Sequence, residues 1–382
     1  MRRVQIEEFL QESRNALVLD VRSPGEYNHA HIPGAISLPL FTDEERKVVG
    51  TEYKQVSRQA AIKIGLDYFG PKMRGMVEAV EKLIGNRQQA IDEDSACPLP
   101  VANCIFIYCW RGGMRSGAVA WLLNLYGFNV TVLAGGYKAF RNWVIQTNNA
   151  PYQLRLIGGY TGSGKTLLLN ELNKKGEQVV NLEELARHKG SAFGNIGMPQ
   201  QPSQEMFENL LSFELKKVNG EWPMMKNSTT EHLLTTHHSP LTFWIEDESQ
   251  RIGQINIPNA FWQTMRNSPI CFLDVPFEER LQNLVTEYGQ LDKEKMMAAI
   301  QRISKRLGPL ETKTSVQFLQ NNEVKECFRI LLHYYDKQYS KGLHNRENLT
   351  SLLTKISCEK VSVDNAALVS QAQLPSTYAG TS

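Results

Sequence analysis

The feature that most constrains the fold of this chain is a glycine-rich loop between an apolar segment and a helical one. Residues 159–166 have the spacing Gly-x4-Gly-Lys-Thr, after the apolar segment 154–157 and before the helical segment 166–172. In this context backbone N–H groups surround a di- or triphosphate, the lysine neutralises its outer oxygens and the threonine can reach Mg²⁺. The loop predicts an α/β unit whose phosphate-binding residues are Gly159, Thr161, Gly162, Ser163, Gly164, Lys165 and Thr166.

A second loop of similar placement follows another apolar strand. The strand is 104–108, and the loop contains Cys109, two glycines and two arginines before a helical segment begins. At such a junction, backbone N–H groups and the positive end of the helix dipole face the side chain that leaves the strand. Positive charge favours the thiolate over the thiol. We therefore predict that Cys109 is a catalytic nucleophile and that Arg111 and Arg115 assist it.

The residues around Cys109 distinguish between two chemistries that use such a loop. Five residues separate Cys109 from Arg115, a spacing that fits cysteine phosphatases and is one residue longer than in single-domain sulfurtransferases. The segments 19–27, 31–36 and 133–137, however, resemble the signature segments of rhodanese domains. We therefore favour transfer of a sulfur-type group over hydrolysis of a phosphate ester.

The length and the element pattern predict two domains. A chain of 382 residues is long for one hydrophobic core. Predicted strands alternate with helices in both halves, which indicates parallel sheets and an α/β class. We predict an N-terminal rhodanese-like domain, then a P-loop NTPase-like domain with a largely helical C-terminal part. The bounds are 1–145 for the first domain, with a helical, basic insertion at about 42–85, 146–152 for a linker, 153–360 for the second domain and 361–382 for a flexible tail.

Composition excludes several classes of protein. The chain is 42% hydrophobic and 21% charged, and no apolar run approaches the roughly 18 residues that span a bilayer. With no signal-like N-terminus, we expect a cytoplasmic location. The six cysteines are scattered without a CxxC pair, so we predict neither disulfides nor zinc. Cys97 and Cys104 are candidates to resolve an intermediate on Cys109, although we expect a loop position for Cys97 and a core position for Cys104.

Acidic residues after the predicted strand 242–245 suggest the metal side of the phosphate site. Glu246, Asp247 and Glu248 occupy the position of a second metal-binding or acid motif, and Mg²⁺ could also contact Thr166. Arg280 is a candidate phosphate contact or a surface ion pair. No adenine-reading element is visible, so ATP is not assured as the ligand.

The combination of the two loops resembles one family in particular. A rhodanese domain followed directly by a P-loop domain is an uncommon pairing, and the chain is similar to the bacterial tRNA 2-selenouridine synthases from about residue 5 to about residue 345. The strongest motifs are 108–116, 135–141 and 158–166, and weaker ones are 185–191, 204–208 and 245–253.

The resemblance implies a reaction in two steps on the wobble uridine of tRNAs for Lys, Glu and Gln. Geranyl diphosphate alkylates the sulfur of 2-thiouridine, and selenium from selenophosphate then replaces the S-geranyl group. Lys165 would bind the diphosphate, while Cys109 would hold selenium as a selenenyl sulfide with Arg111 and Arg115 on the phosphate. The expected partners are tRNA and an enzyme that supplies selenophosphate, and we expect a monomer without a tightly bound cofactor.

Local positive surface must hold the RNA, because the net charge is only +2. Trp110 is a candidate for stacking on an extruded base. Two other functions remain open: an ATP-dependent sulfurtransferase with a non-RNA acceptor, and a regulatory module in which a nucleotide sensor is joined to a redox-sensitive cysteine. The candidate tRNA-binding residues are Lys54, Arg58, Lys63 and Arg74 in the insertion, and Lys138 and Arg141 near the cysteine loop.

Overall fold

Two five-stranded parallel sheets organise the part of the chain that the computed structural model describes, namely residues 1–92, 104–217 and 242–375. Each sheet lies in its own unit, the first spanning Met1–Thr147 and the second beginning at Asn148. Helices accompany both sheets, so the predicted α/β class with parallel sheets is confirmed. None of the described helices is long and apolar enough to cross a membrane.

The sheet of the first unit has the strand order β1-β5-β4-β2-β3. Strand β4 lies at its centre, is apolar and buried beyond its first residue, and carries the predicted nucleophile directly after its carboxyl end. The elements are β1 Arg2–Val4, α1 Ile6–Glu12, β2 Leu17–Asp20, α2 Pro24–His29, β3 Ile36–Ser37, α3 Asp43–Gln55, α4 Arg58–Phe69, a 3-10 turn Gly70–Lys72, α5 Met73–Asp92, β4 Cys104–Tyr108, α6 Met114–Tyr126, β5 Asn129–Leu133 and α7 Gly136–Asn148.

The predicted insertion consists of helices α3, α4 and α5. Side chains cap the first two, since Thr42 accepts a hydrogen bond from the Glu45 N–H and Ser57 accepts one from the Ala60 N–H. The third extends to Asp92, so the helical part is longer than the predicted insertion of about 42–85. The segment 86–92 contains good helix formers and no proline, which explains the extension. Cys97 lies outside the described residues.

The sheet of the second unit has the order β12-β11-β6-β8-β7, and its central strand β6 leads into the phosphate loop. The elements are β6 Gln153–Gly159, α8 Lys165–Lys174, β7 Val179–Val180, α9 Leu182–Ala186, α10 Gln204–Lys216, β8 Thr242–Glu246, β9 Arg251–Ile252, β10 Ile255–Asn256, α11 Asn259–Arg266, β11 Ile270–Asp274, α12 Phe277–Tyr288, α13 Lys293–Arg302, α14 Ser304–Leu307, α15 Pro309–Gln320, α16 Val324–His344, α17 Leu349–Leu352, β12 Leu353–Ser357 and α18 Asn365–Gln371.

The C-terminal part differs from the sequence-based expectation in two places. Strand β12 pairs in parallel with β11 along its whole length, although the sequence predicted mostly helix to residue 356. The predicted flexible tail contains α18, where Ala366 and Val369 are buried in the same apolar cluster as Leu168 and Leu172 of α8. Burial of these side chains outweighs the cost of ordering the segment, so the prediction of a flexible tail was wrong for 365–371.

The predicted linker is partly helical. Helix α7 continues to Asn148, and β6 starts at Gln153. Thr147 and Asn148 are buried, and the Asn148 Nδ2 donates to the Glu208 carbonyl oxygen at 3.0 Å. The irregular connection is therefore 149–152, shorter than the predicted 146–152.

Candidate functional site

Cys109 stands at the carboxyl end of the central strand of the first sheet. Its side chain is buried, and its Sγ lies 3.2 Å from the Ser116 Oγ. Ser116 belongs to the first turn of α6, a helix of 13 residues that begins at Met114. The thiol therefore lies beside a helix N-terminus and a hydroxyl group, an arrangement that suits a bound anion.

A neighbouring glycine turn fixes the backbone of the cysteine loop. The Cys109 carbonyl accepts a hydrogen bond from the Tyr137 N–H at 2.8 Å, and the Trp110 carbonyl accepts one from the Lys138 N–H at 3.0 Å. Gly136 has a φ of +58°, and a Cβ there would lie 2.2 Å from the Cys109 carbonyl oxygen. Only glycine fits this contact. The segment that resembled a rhodanese closing motif thus positions the nucleophile.

The structure separates the two arginines that were predicted to assist Cys109. Arg111 is exposed on the loop. The Arg115 NH1 instead donates to the Glu26 Oε2 at 2.8 Å, and the Arg46 Nε donates to the same oxygen at 2.8 Å. Burial opposes ionisation of Glu26, but the arginines outweigh it and lower its pKa to about 2. Arg115 is therefore part of an ion pair with Glu26, which Arg46 shares, whereas Arg111 is exposed.

A buried ion pair connects strand β2 to the segments that surround it. Arg22 donates to the Asp20 carboxylate through Nε at 2.9 Å and through NH2 at 2.6 Å, and NH2 also donates to the Ala30 carbonyl oxygen. The Arg22 guanidinium carbon lies 3.8 Å from the ring centroid of Tyr137. Asp20 and Arg22 therefore connect strand β2 to the glycine turn that contacts Cys109, and their role is structural.

The phosphate loop joins β6 to α8, as the motif predicted. The Lys165 Nζ donates to the Gly159 carbonyl oxygen at 3.1 Å, which folds the lysine back over the loop. Gly162 and Gly164 have φ angles of +82° and +80°, a region that favours glycine. The Thr166 Oγ1 donates to the Glu183 Oε2 at 3.3 Å.

Helix α12 supports the phosphate loop from one side. The Arg280 NH1 donates to the Thr161 carbonyl and the Asn283 Nδ2 to the Gly162 carbonyl, each at 3.1 Å. Arg280 is buried and forms a bidentate ion pair with Asp336 at 2.8 Å. It is therefore not the surface ion pair considered from the sequence, and its role is to hold the loop.

The three predicted acids at the end of β8 and directly after it have different surroundings. Glu246 is fully buried, and burial together with the charges of Glu183 and Glu248 raises its pKa well above the ordinary value. Burial and Glu183 raise the pKa of Glu248 to about 8. Asp247 accepts hydrogen bonds from the Tyr339 hydroxyl and the Arg346 NH2, each at 2.7 Å. Asp247 is thus a structural anchor rather than a free acid.

A cavity of about 1300 Å³ opens beside the phosphate loop. Lys165, Thr166, Glu183 and Glu248 all line it. The oxygens of Thr166, Glu183 and Glu248 are of the type that Mg²⁺ prefers, but within the described residues no group of three or more His, Cys, Asp or Glu side chains is arranged to hold a metal ion. Magnesium at Thr166 remains a prediction.

Comparisons with known proteins agree with both halves of this geometry. The family model for a rhodanese-like domain matches residues 5–142, and the model for the tRNA 2-selenouridine synthase AAA domain matches residues 152–363. The chain belongs to the tRNA 2-selenouridine synthase family. The family assignment that the residues suggested is therefore confirmed.

Three curated members of the tRNA 2-selenouridine synthase family illustrate the extent of the similarity. The synthase of Nitrosomonas europaea is 34% identical over 81% of this chain and 72% of its own length. That of Bdellovibrio bacteriovorus is 36% identical over 72% of this chain and 65% of its own length. That of Nitrosomonas eutropha is 30% identical over 86% of this chain and 89% of its own length.

In this selenouridine synthase family member, two of the candidate tRNA-binding residues lie near the cysteine loop. The Arg58 NH2 is 3.9 Å from the Sδ of Met114, the first residue of α6. Lys138 is exposed, and its backbone contacts Trp110, which is itself 38% exposed. The others lie elsewhere in the same unit: Lys54, Lys63 and Arg74 are exposed on α3, α4 and α5, Arg74 pairs with Glu78, and Arg141 is half-buried on α7.

Cys104 does not resolve an intermediate on Cys109 in this fold. Cys104 is the first residue of β4 and Cys109 follows the last, so five residue steps of about 3.3 Å place them about 16 Å apart. Cys104 is also only partly buried, with its Sγ 3.5 Å from the Asn129 Nδ2. Cys104 was expected either to resolve an intermediate or to pack in the core. Both expectations were wrong, because this end of β4 is far from Cys109 and only partly buried.

Several residues of the two sites were not predicted from the sequence. Glu183 binds the hydroxyl of Thr166, Glu26 binds Arg115, and Tyr339 and Arg346 hold Asp247. Glu26 could have been identified from the sequence, because it lies within the segment 19–27 that resembles rhodanese domains. The other three lie in stretches whose local sequence has no motif.

Proposed function

We propose that this protein makes 2-selenouridine at the wobble position of tRNAs for Lys, Glu and Gln. Geranyl diphosphate first alkylates the sulfur of 2-thiouridine, and selenium from selenophosphate then replaces the S-geranyl group. The observation that carries this proposal is the presence of two separate anion-binding loops, at Cys109 and at Lys165, in a chain whose curated relatives are named tRNA 2-selenouridine synthases.

The phosphate loop serves the alkylation step. The thiouridine sulfur attacks the first carbon of the geranyl chain, the carbon–oxygen bond breaks, and Lys165 with the α8 N-terminus stabilises the departing diphosphate. Glu248, whose pKa is raised to about 8, is protonated at neutral pH and adds no charge against that anion. Leu284, Tyr288 and Tyr335 give the cavity an apolar wall that suits the ten-carbon chain.

The cysteine loop serves the selenation step. Alkylation prepares the base, because an alkylated sulfur leaves as a neutral thiol when selenium attacks the same carbon. Selenium is at the selenide level both in selenophosphate and in the product, so the overall exchange involves no oxidation or reduction. Arg111 and the backbone of the loop would hold the phosphate group beside the Cys109 thiolate.

Two balanced routes lead from selenophosphate to a nucleophilic selenium at Cys109. If the thiolate attacks selenium, a selenenyl sulfide forms, the P–Se electron pair stays on phosphorus, phosphite leaves, and a further thiol must release the selenium. If the thiolate attacks phosphorus, selenide leaves with that electron pair and water later frees phosphate from the cysteine. The second route needs no added thiol, so we favour it over the selenenyl sulfide.

The proposal is tested by nucleoside mass spectrometry of tRNA incubated with the purified protein, geranyl diphosphate and selenophosphate. The wild-type protein should form S-geranyl-2-thiouridine and then 2-selenouridine. Cys109→Ala should stop at the S-geranyl nucleoside, while Cys104→Ala, a partly buried cysteine away from the site, should complete both steps. Failure of the wild-type protein to modify the wobble uridine, with activity on a non-RNA acceptor instead, would favour the ATP-dependent sulfurtransferase.

A further inference from the structure

The cavity beside the phosphate loop has a second wall that a diphosphate does not need. Its volume of about 1300 Å³ is large, since pockets for a whole drug-sized ligand hold about 300–1,000 Å³. One part of its lining is formed by Trp262, Gln263, Arg266 and Asn267, at the end of α11, and by Asn345 after α16. We call these five residues the α11 wall. They provide an indole ring, a guanidinium and three amides.

Trp262 and Arg266 form a cation–aromatic pair in this wall. The Arg266 guanidinium carbon lies 5.5 Å from the Trp262 ring centroid, and its NH1 donates to the Gly342 carbonyl oxygen at 3.3 Å. The Trp262 Nε1 is buried and has no hydrogen-bond partner in the part of the chain that the structure describes. The rest of the Trp262 side chain is only partly buried and lines the cavity.

The charges around the α11 wall favour an anion. Burial and the positive charge of Arg346 lower the pKa of Arg266. The carboxylate that offsets these two arginines is Asp247, which already accepts hydrogen bonds from Arg346 and Tyr339. Glu347 also lines the cavity but is exposed, so its charge is screened by solvent.

A short chain of hydrogen bonds leads from the phosphate loop to Asp247, whose charge acts on Arg266 of this wall. The Tyr339 hydroxyl donates to Asp247 at 2.7 Å and accepts from the Gly159 N–H at 3.2 Å. Asp247 is also the carboxylate that acts on Arg266. A ligand on the α11 wall would therefore lie in the same cavity as a diphosphate held by Lys165, which is the arrangement that a transfer between two substrates requires.

We propose that the α11 wall binds the RNA nucleotide that accepts the alkyl group, with its base against the Trp262–Arg266 pair and its phosphate near Arg266. Aromatic rings and arginines that stack on bases, with amides at the base edge, are the usual means of reading single-stranded RNA. This inference rests on the proposed function, because it takes the acceptor to be a tRNA base.

The test uses the full chain and a labelled anticodon stem–loop RNA that carries 2-thiouridine at the wobble position. Binding is measured by fluorescence anisotropy over a range of salt concentrations. Arg266→Ala should weaken binding about tenfold and reduce the salt slope by about one. Arg266→Lys should restore the salt slope but not the full affinity. Arg306→Ala, which removes an exposed arginine of the same unit that does not line the cavity, should bind like the wild type.

Binding of inorganic pyrophosphate, measured by calorimetry, separates this inference from the proposed function. Arg266→Ala should bind pyrophosphate like the wild type, whereas Lys165→Ala should not bind it. RNA binding by Arg266→Ala as tight as that of the wild type would overturn the inference and leave the proposed function intact. Equal loss of pyrophosphate binding in Arg266→Ala would assign the wall to the diphosphate and overturn the inference as well. A wild-type protein that binds no RNA would overturn both.

Discussion

Glu26 provides a quantitative test of how the cysteine loop is held. Burial of this side chain opposes its ionisation, yet the Arg115 and Arg46 guanidinium groups lower its pKa from 4.5 to about 2. At about 1.4 kcal/mol for each pKa unit, this interval corresponds to about 3 kcal/mol of stability. The Arg46 side chain is 48% exposed, so we reduce the figure to about 2 kcal/mol for solvent screening.

The pH dependence follows from the sign of this shift. Because the folded-state pKa lies below the unfolded one, the stabilisation is complete above pH 4.5 and is lost as the pH falls from there toward 2. We expect Glu26→Gln to lower the free energy of unfolding by about 2 kcal/mol at pH 7 and by clearly less at pH 3. Urea denaturation followed by circular dichroism at both pH values measures this difference.

A matched control comes from an exposed carboxylate of the same unit. Glu78 pairs with Arg74 on α5, and both side chains are more than half exposed. Glu78→Gln should change the free energy of unfolding by no more than about 0.5 kcal/mol at either pH. If the loss in Glu26→Gln were as large at pH 3 as at pH 7, packing and not charge would hold Glu26, and the reasoning would be refuted.

Three further predictions concern the chemistry and the second unit. Asp247→Ala should lower the free energy of unfolding by about 3–5 kcal/mol, because Arg346 would keep a buried charge without its partner. Glu248→Gln should lower it far less. Equal losses of stability in urea denaturation would contradict the structural role of Asp247. Lys165→Ala should abolish geranylation with or without ATP, measured by chromatography of tRNA nucleosides, and an ATP requirement in the wild type would show that the loop serves a nucleotide. Selenation should release phosphate in ³¹P NMR spectra, while phosphite would show that Cys109 attacks selenium.

The sequence predicted those parts of the two sites that local sequence determines. A phosphate loop needs its glycines, Lys165 and Thr166 within eight residues, and Cys109 precedes its helix by five residues, so each motif is visible in one short stretch. The central strands were predicted for the same reason, since buried parallel strands are apolar runs. Their order in the sheets was left undetermined, because strand order depends on contacts between distant segments.

The residues that pair with these charged side chains could not be predicted in the same way. Asp247 is 92 residues from Tyr339 and 99 from Arg346, and Arg115 is 89 from Glu26. Nothing in the local sequence of a carboxylate shows whether it faces a cation or a cavity. The three consecutive acids after β8 were therefore assigned one common role, although the structure places Asp247 in an ion pair and leaves Glu246 and Glu248 in an environment that disfavours their charge.

The surroundings of these acids explain how an acid-rich cavity can bind an anion. Glu183, Glu246 and Glu248 would together cancel the charge of Lys165 if all were ionised, but burial and mutual repulsion raise the pKa of each of them. Burial and close spacing therefore disfavour three full negative charges on these side chains. The phosphate loop therefore keeps the positive character that its lysine and helix N-terminus supply. In the first unit Glu26 pairs with both Arg115 and Arg46, while Arg111 stays exposed on the cysteine loop.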